Sequence, residues 1–247
     1  HLVLRRRRRR SCWNSGGRRM NPIVEVRGLH YSYEDGTEAL RGLDFVLQPG
    51  AVVALLGPNG SGKTTFALHL NGLLRASAGS ILIDGLDVSA KNLATIRRTV
   101  GLVFQDSDNQ LFMPTVLEDV AFGPLAAGLR PEEAEAKAVD ALRQVGMESK
   151  SGKAPWHLSS GEKKRVAIAG ILASDPRLLV LDEPTTFLDP PGQRDLVTLL
   201  AQLPQAKILI THDVQFARTL SDDAAFFAEG RISARGPVDE IVRRFNW

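Results

Sequence analysis

The stretch that decides the fold is Gly57-Pro58-Asn59-Gly60-Ser61-Gly62-Lys63-Thr64-Thr65. The apolar run 51–56 precedes it and the helix-like segment 65–70 follows it, so the order is strand, glycine-rich loop and helix. Glycines at this spacing let backbone N–H groups approach a polyphosphate, and the N-terminus of the helix adds positive potential. We predict that Lys63 reaches the β- and γ-phosphates of a nucleotide and that the Thr64 hydroxyl binds Mg²⁺. A glycine-rich turn without a ligand is the alternative, and the flanking strand and helix disfavour it.

Two further strand-like segments end in residues that suit phosphate chemistry. The buried-strand pattern 178–181 is followed by Asp182 and Glu183, and the pattern 207–210 is followed, after one threonine, by His212. In an open parallel sheet, ligands bind at the carboxyl ends of the strands, so we expect these side chains beside the phosphates. Asp182 is predicted to hold Mg²⁺, and Glu183 to orient or deprotonate the attacking water. His212 is placed to touch the γ-phosphate, although a lone histidine at a strand end is more often incidental.

Four other residues are candidates for the same site. Gln105 comes just past the predicted strand 100–104. Tyr33 ends a strand and can stack on a nucleotide base, with ordinary sheet packing as the alternative. Ser159 and Gly161 open a helix, where a hydroxyl and bare amides can face phosphate. A simple helix N-cap at Ser159 is the alternative interpretation.

Strand signals dominate both ends of the chain, and helix signals dominate its middle. The other predicted strands are 23–26, 40–47, 80–85 and 100–104, with a short helix near 92–98. Segments 115–120 and 131–144 have helix starts and helical apolar spacing without a strand pattern. We therefore predict an α/β core formed by 20–105 and 177–247, interrupted by a helical insertion at 106–176.

The positive charge is confined to the start of the chain. The 247 residues carry a formal charge of +3, but residues 1–19 hold eight arginines and no acid, which leaves −5 for the rest. Residues 1–19 are predicted to be a disordered extension, with Met20 as the native start. An arm that binds nucleic acid or anionic lipid is the alternative for this segment.

Composition excludes several other classes of protein. The longest apolar runs are far below the roughly 18–20 residues needed to cross a bilayer, so we expect any membrane role to require a partner. Cys12 is the single cysteine, which excludes an intramolecular disulfide and a cysteine-rich metal site. This composition fits a reducing cytosol.

The set of motifs resembles the nucleotide-binding subunit of ATP-binding-cassette (ABC) transporters over nearly all of residues 21–247. The corresponding family motifs are the Walker A loop at 57–65, the glutamine-loop residue Gln105, the signature Leu158-Ser159-Ser160-Gly161-Glu162, the Walker B end Asp182-Glu183, the D-loop Thr186-Phe187-Leu188-Asp189 and the switch histidine His212. The signature departs from the commoner Leu-Ser-Gly-Gly-Gln at Ser160 and Glu162 and retains Ser159 and Gly161. Segments 103–112 and 121–124 are similar to the ATPases of energy-coupling-factor importers, including the cobalt and nickel type.

This resemblance implies a P-loop NTPase core, a mostly parallel sheet with flanking helices, which carries an antiparallel β subdomain and a helical insertion subdomain. ATP and Mg²⁺ are the implied ligands. The implied nucleotide contacts are Tyr33, Asn59, Gly60, Ser61, Gly62, Lys63, Thr64, Thr65, Ser159, Gly161 and Asp189; the implied metal contacts are Thr64, Gln105 and Asp182; and the implied catalytic residues are Glu183, His212, Gln105 and Lys63.

The resemblance also implies partners. Two ATPase subunits, as a homodimer or a heterodimer, would pair head to tail around two ATP molecules, with Ser159 and Gly161 of one subunit closing over the γ-phosphate held at Lys63 of the other. Gln105 would sense the γ-phosphate and move the surface that grips integral membrane subunits. The expected place is the cytoplasmic face of the cell membrane, the expected work is import of a small solute such as a vitamin or a transition-metal ion, and no nucleic-acid partner is expected.

Other members of the same superfamily are less compatible with the motifs. A DNA-repair ATPase would have a long coiled coil between Thr64 and Ser159, and the sequence has no such pattern there. Translation-associated cassette proteins usually carry two phosphate loops in one chain, whereas this sequence has one. A binding module without activity is disfavoured by the presence of both Glu183 and His212. An exporter subunit stays open as an alternative.

Overall fold

A computed structural model describes residues 21–107 and 110–247. The predicted extension 1–19 and the proposed start at Met20 lie outside these residues. The described strands are β1 (Val24–Ser32), β2 (Glu38–Leu47), β3 (Val52–Leu56), β4 (Ala78–Ile83), β5 (Leu86–Asp87), β6 (Val100–Val103), β7 (Leu178–Asp182), β8 (Ala206–Ile210), β9 (Asp223–Ala228) and β10 (Arg231–Pro237). The helices are α1 (Lys63–Leu70), α2 (Leu93–Thr99), α3 (Val116–Ala126), α4 (Pro131–Gln144), α5 (Ser160–Leu172), α6 (Pro190–Gln202), α7 (Val214–Leu220) and α8 (Val238–Phe245).

The strands form two sheets, as the predicted fold class requires. A six-stranded sheet has the order β10-β9-β3-β8-β7-β6, and its pairings are parallel except for the antiparallel edge between β9 and β10. A four-stranded antiparallel sheet has the order β2-β1-β4-β5. The structure thus confirms the mixed α/β class, with a parallel and an antiparallel sheet.

The carboxyl ends of three parallel strands meet at one edge of the larger sheet. Leu55 of β3 and Asp182 of β7 both pair with Ile210, which ends β8 between them. The phosphate loop follows β3, the carboxylates Asp182 and Glu183 end or follow β7, and His212 comes two residues after β8. Strand register therefore places all three segments at the same edge.

The regular elements of the middle of the chain are helical in the part that the structure describes. Within 110–176, the regular elements are α3, α4 and α5, together with short 3₁₀ turns at 148–150 and 155–157. Their apolar faces share one core cluster with residues of β6, β7 and β8. The subdomain boundaries given above stay a prediction.

Several elements differ from the predicted ones. β1 extends to Ser32 rather than 26, because register shifts between Val26 and Leu29 interrupt the alternation that marks a strand in sequence. β4 ends at Ile83, since Asp84 and Gly85 adopt positive φ values of 51° and 80° and turn the chain into the two-residue β5. No element is predicted after His212, where the structure has β9, β10, α7 and α8.

Candidate active site

Close backbone contacts fix the path of the phosphate loop. A Cβ atom on Gly57 would lie 2.1 Å from the carbonyl oxygen of Phe227, and one on Gly62 would lie 2.6 Å from the carbonyl oxygen of Ala39. Both glycines have positive φ, 134° and 103°. Any larger residue would displace the loop from the strands behind it. The chain then enters α1 directly, with no side chain capping its first turn, which leaves that turn to bind an anion.

Lys63 lies folded against the loop. Its Nζ donates to the carbonyl oxygens of Gly57 at 2.7 Å and Pro58 at 2.8 Å and to the Ser61 hydroxyl at 3.3 Å. The residue is only 7% exposed, and burial lowers the pKa of its ammonium group, an effect that the nearby charges of Glu183 and Asp182 oppose. An ammonium group whose direct partners are neutral oxygens gains most from an anion. The loop and Lys63 therefore fit a polyphosphate ligand.

Thr64 and Asp182 contact each other across the sheet edge. The Thr64 Oγ1 donates to Asp182 Oδ2 at 2.8 Å, and Asp182 is buried. Burial raises the pKa of the Asp182 carboxyl, and the hydrogen bond from Thr64 works against this rise. A hydroxyl and a carboxylate oxygen side by side are the hard oxygen ligands that Mg²⁺ prefers. The two residues thus fit the metal that accompanies a nucleotide.

Glu183 is held in contact with His212. Its Oε2 lies 2.8 Å from His212 Nδ1 and accepts a hydrogen bond from the His212 N–H at 3.4 Å. The Glu183 backbone is left-handed, with φ of 43°, and its N–H donates to the carbonyl oxygen of Ile210 at 2.8 Å. The Glu183 side chain is 12% exposed and the His212 side chain 68%. The Glu183 carboxylate is therefore held in place by its contact with His212, whose side chain is mostly exposed to solvent.

Tyr33 stands at the entrance of α1. Its hydroxyl lies 2.9 Å from Thr65 Oγ1, and the residue is 40% exposed. Tyr31 packs edge-on against it with ring centroids 5.0 Å apart, and Tyr31 packs in turn on the buried His69 at 4.7 Å. This places a supported aromatic ring beside the phosphate loop, as a base-stacking residue requires. Tyr31 and His69 carry no motif, and sequence reasoning missed them.

Gln105 lines a neighbouring cavity of about 310 Å³ together with Ser160, Thr186 and Phe187. Lys164 reaches into this region from α5, where its Nζ donates to the carbonyl oxygens of Phe104 at 3.1 Å and Gln105 at 2.7 Å. Lys164 is 2% exposed, and burial lowers its pKa to about 8. The sequence shows it only as one of three consecutive basic residues, so this link between the glutamine loop and the signature helix was not predicted.

Ser159, Gly161 and Asp189 line a second cavity, of about 560 Å³, which shares Ser160, Lys164 and Phe187 with the first. Ser159 caps α5 by accepting a hydrogen bond from the Glu162 N–H at 3.4 Å, and Asp189 caps α6 by accepting one from the Gly192 N–H at 2.9 Å. In the single chain, the side-chain contact of Ser159 is that of a helix N-cap, the alternative given above. The structure thus brings Lys63, Thr64, Asp182, Glu183 and His212 into one group and places Ser159, Gly161 and Asp189 in the second cavity.

These features define a class of protein. A phosphate loop that enters a helix, a carboxylate pair at the end of a neighbouring parallel strand and a helical layer inserted before that strand are the features of an ABC-type nucleoside triphosphatase. The family model described as ABC transporter matches residues 40–186. The chain belongs to this family, and it is an ABC transporter ATPase.

Similar proteins narrow the family further. An energy-coupling factor transporter ATP-binding protein, EcfA, of Methanosphaera stadtmanae is 49% identical over 227 residues, which cover 90% of this chain and 82% of that protein. The solved structure of cbiO1 from Clostridium perfringens, described as part of the ABC transporter complex cbiONQ, has a TM-score of 0.80 at 39% identity and covers 92% of this chain and 95% of its own. A dimeric post-hydrolysis structure of the ATP-binding cassette MJ0796, bound to ADP and Pi, has a TM-score of 0.78 at 27% identity, covering 87% and 99%. These likenesses support the predicted resemblance to the energy-coupling-factor and cobalt-nickel importer ATPases.

Proposed function

We propose that this ABC ATPase dimerises around two Mg-ATP molecules and powers the import of a small solute, a vitamin or a transition-metal ion, through integral membrane subunits. The proposed place is the cytoplasmic face of the cell membrane. The observation that carries the hydrolytic part is the contact of Glu183 with His212 at the edge where Thr64 meets Asp182. The importer part rests on the EcfA-named relatives and on cbiO1.

The chain's own groups have distinct roles in this proposal. The loop amides and Lys63 bind the phosphates, and Tyr33 supports the base. Thr64, Asp182 and Gln105 would hold Mg²⁺, which supplies neutralisation of phosphate charge. Glu183 accepts a hydrogen bond from the attacking water and orients it, and His212 keeps that carboxylate in place and contacts the γ-phosphate.

The membrane partner is proposed to bind the helical layer. No helix of the described residues is long and apolar enough to cross a bilayer. Phe112 and Phe122 expose 63% and 44% of their surface and pack edge-on, with ring centroids 5.1 Å apart. Exposed aromatic pairs are typical of interaction surfaces, and this pair follows Gln105 in the sequence.

A trapped dimer tests the proposal. Glu183→Gln keeps the size of the side chain and removes its basicity, so turnover should fall on the order of 10²-fold or more while ATP binding persists. Adding ATP and Mg²⁺ should then double the mass measured by light scattering. Lys63→Ala in the same background is the control, and it should stay monomeric because the phosphate contact is gone. Substantial hydrolysis by Glu183→Gln, or ATP binding without assembly, would contradict the proposal.

A further inference from the structure

The signature of this chain contains an acid beside the residues proposed to receive phosphate. Glu162 Oε2 accepts a hydrogen bond from the Ser159 N–H at 3.0 Å, and Glu162 Oε1 forms an ion pair with Lys150 Nζ. The side chains of Glu162 and Lys150 are 28% and 31% exposed. Both carboxylate oxygens therefore have partners, one on the helix cap and one on a cation from the loop before the signature.

The charges that line this cavity balance. Its basic residues are Lys150, Lys164 and Arg165, and its acidic residues are Glu162, Asp189 and Asp195. Arg165 pairs with Asp195 at 2.8 Å, and the Lys164 ammonium group is held by two backbone carbonyls. Removing the Lys150 charge would therefore leave a net negative cavity on the face where a polyphosphate has to arrive.

We propose that Lys150 is a positioning residue of the ATP site: it neutralises Glu162 and keeps its carboxylate on the Ser159 cap, so that the signature accepts the γ-phosphate held by a second copy of the chain. This inference rests on the proposed function, because it requires the dimer. A partly exposed ion pair contributes little to folding stability. The same charge matters more next to an anion, where an uncompensated carboxylate repels the ligand.

The test is a double-mutant cycle in the Glu183→Gln background. The concentration of ATP, with Mg²⁺, that gives half-maximal dimer is measured by light scattering for Lys150→Met, Glu162→Gln and the double variant. Lys150→Met should raise this concentration by roughly three- to tenfold, and adding Glu162→Gln should remove most of that rise, because the unpaired charge disappears. Lys150→Arg should restore assembly, and the penalty should shrink at high salt.

Lys153→Met is the matched control, since Lys153 is an exposed lysine of the same loop whose charge does not line the cavity. Lys153→Met should assemble at the same ATP concentration as the Glu183→Gln protein without a further change. The inference would be overturned if Lys150→Met raised the ATP concentration for half-maximal dimer by the same factor whether residue 162 is glutamate or glutamine. It would also be overturned if Lys150→Met left that concentration unchanged. A lower melting temperature together with weaker assembly, neither of them rescued by Glu162→Gln, would assign Lys150 a purely structural role. That result would likewise overturn the inference. If the Glu183→Gln protein stays monomeric with Mg-ATP, the proposed function and this inference are both contradicted. If it assembles but the effects of Lys150→Met and Glu162→Gln are independent, this inference alone is contradicted.

Discussion

Thr64→Val tests the contact that joins the phosphate loop to the end of β7. Valine keeps the shape and branching of threonine but removes the donor that lies 2.8 Å from Asp182 Oδ2. The carboxylate stays buried, so the cost is that of an unsatisfied polar group, about 1–3 kcal/mol. The charges of Lys63 and Lys164 still act on Asp182, which favours the middle of that range. For a domain of this size, about 2 kcal/mol corresponds to a fall in melting temperature of about 4–8 °C.

The assay is thermal unfolding without nucleotide, with ATP and EDTA, and with ATP and Mg²⁺. Thr64→Val should melt lower in all three conditions and should lose most of the additional stabilisation that Mg²⁺ gives to ATP, because a proposed metal ligand is absent. Thr64→Ser is the matched control, since it retains the hydroxyl and should keep both effects. Equal melting of Thr64→Val and the unaltered protein without nucleotide would refute the reasoning about Asp182, and an intact Mg²⁺ increment would refute the metal role of Thr64.

Three further predictions use other parts of the chain. Lys63→Ala and Ser159→Arg should each be inactive, and mixing them should restore up to about half of the sites of a normal dimer, because one interface of a mixed dimer is intact; recovery of neither dimerisation nor activity despite subunit exchange would exclude the head-to-tail arrangement. His69 is buried, and its Nδ1 lies 2.8 Å from the carbonyl oxygen of Thr65. Burial lowers the pKa of its imidazole. The protein should therefore lose stability as the pH falls below about 6.5, by at most about 1.4 kcal/mol per pH unit. Urea unfolding at several pH values should show a smaller loss for His69→Gln, and an equal loss in the two proteins would contradict this reasoning. Deleting 1–19 should leave ATPase activity and melting temperature unchanged, and a fall in either would show that the segment packs on the domain.

The nucleotide edge of the fold could be predicted from sequence because local patterns and one general rule determine it. The loop at 57–65 identifies one strand end, and the runs before Asp182 and Thr211 identify two others. Parallel strands present their carboxyl ends at the same edge, so three local patterns were enough to bring the residues together. That rule places Thr64 and Asp182, 118 positions apart in the chain, at the same edge, whereas their direct hydrogen bond was not predicted.

The rest depends on contacts that no local pattern marks. β9 has the sequence Asp-Ala-Ala-Phe-Phe-Ala, which is short and apolar and therefore fits a buried helix as well as a strand. Pairing with β3 and β10 decides between them. The buried Lys164 belongs to a basic run that is usual on a solvated helix face, and its role depends on the carbonyl oxygens of a distant loop. Sequence patterns do not contain that information.

Glu183 shows how the strand end is used for chemistry. A non-glycine residue at φ 43° costs on the order of 1–3 kcal/mol, so the surrounding structure has to hold it there. Two contacts do so from the adjacent strand end: the hydrogen bond from its N–H to Ile210 and the contact of its side chain with His212. At this left-handed turn the two consecutive residues have different partners, with Asp182 bound to Thr64 and Glu183 to His212. Two adjacent carboxylates thus have different partners, which suits the separate roles proposed for them, Asp182 in holding a metal and Glu183 in orienting water.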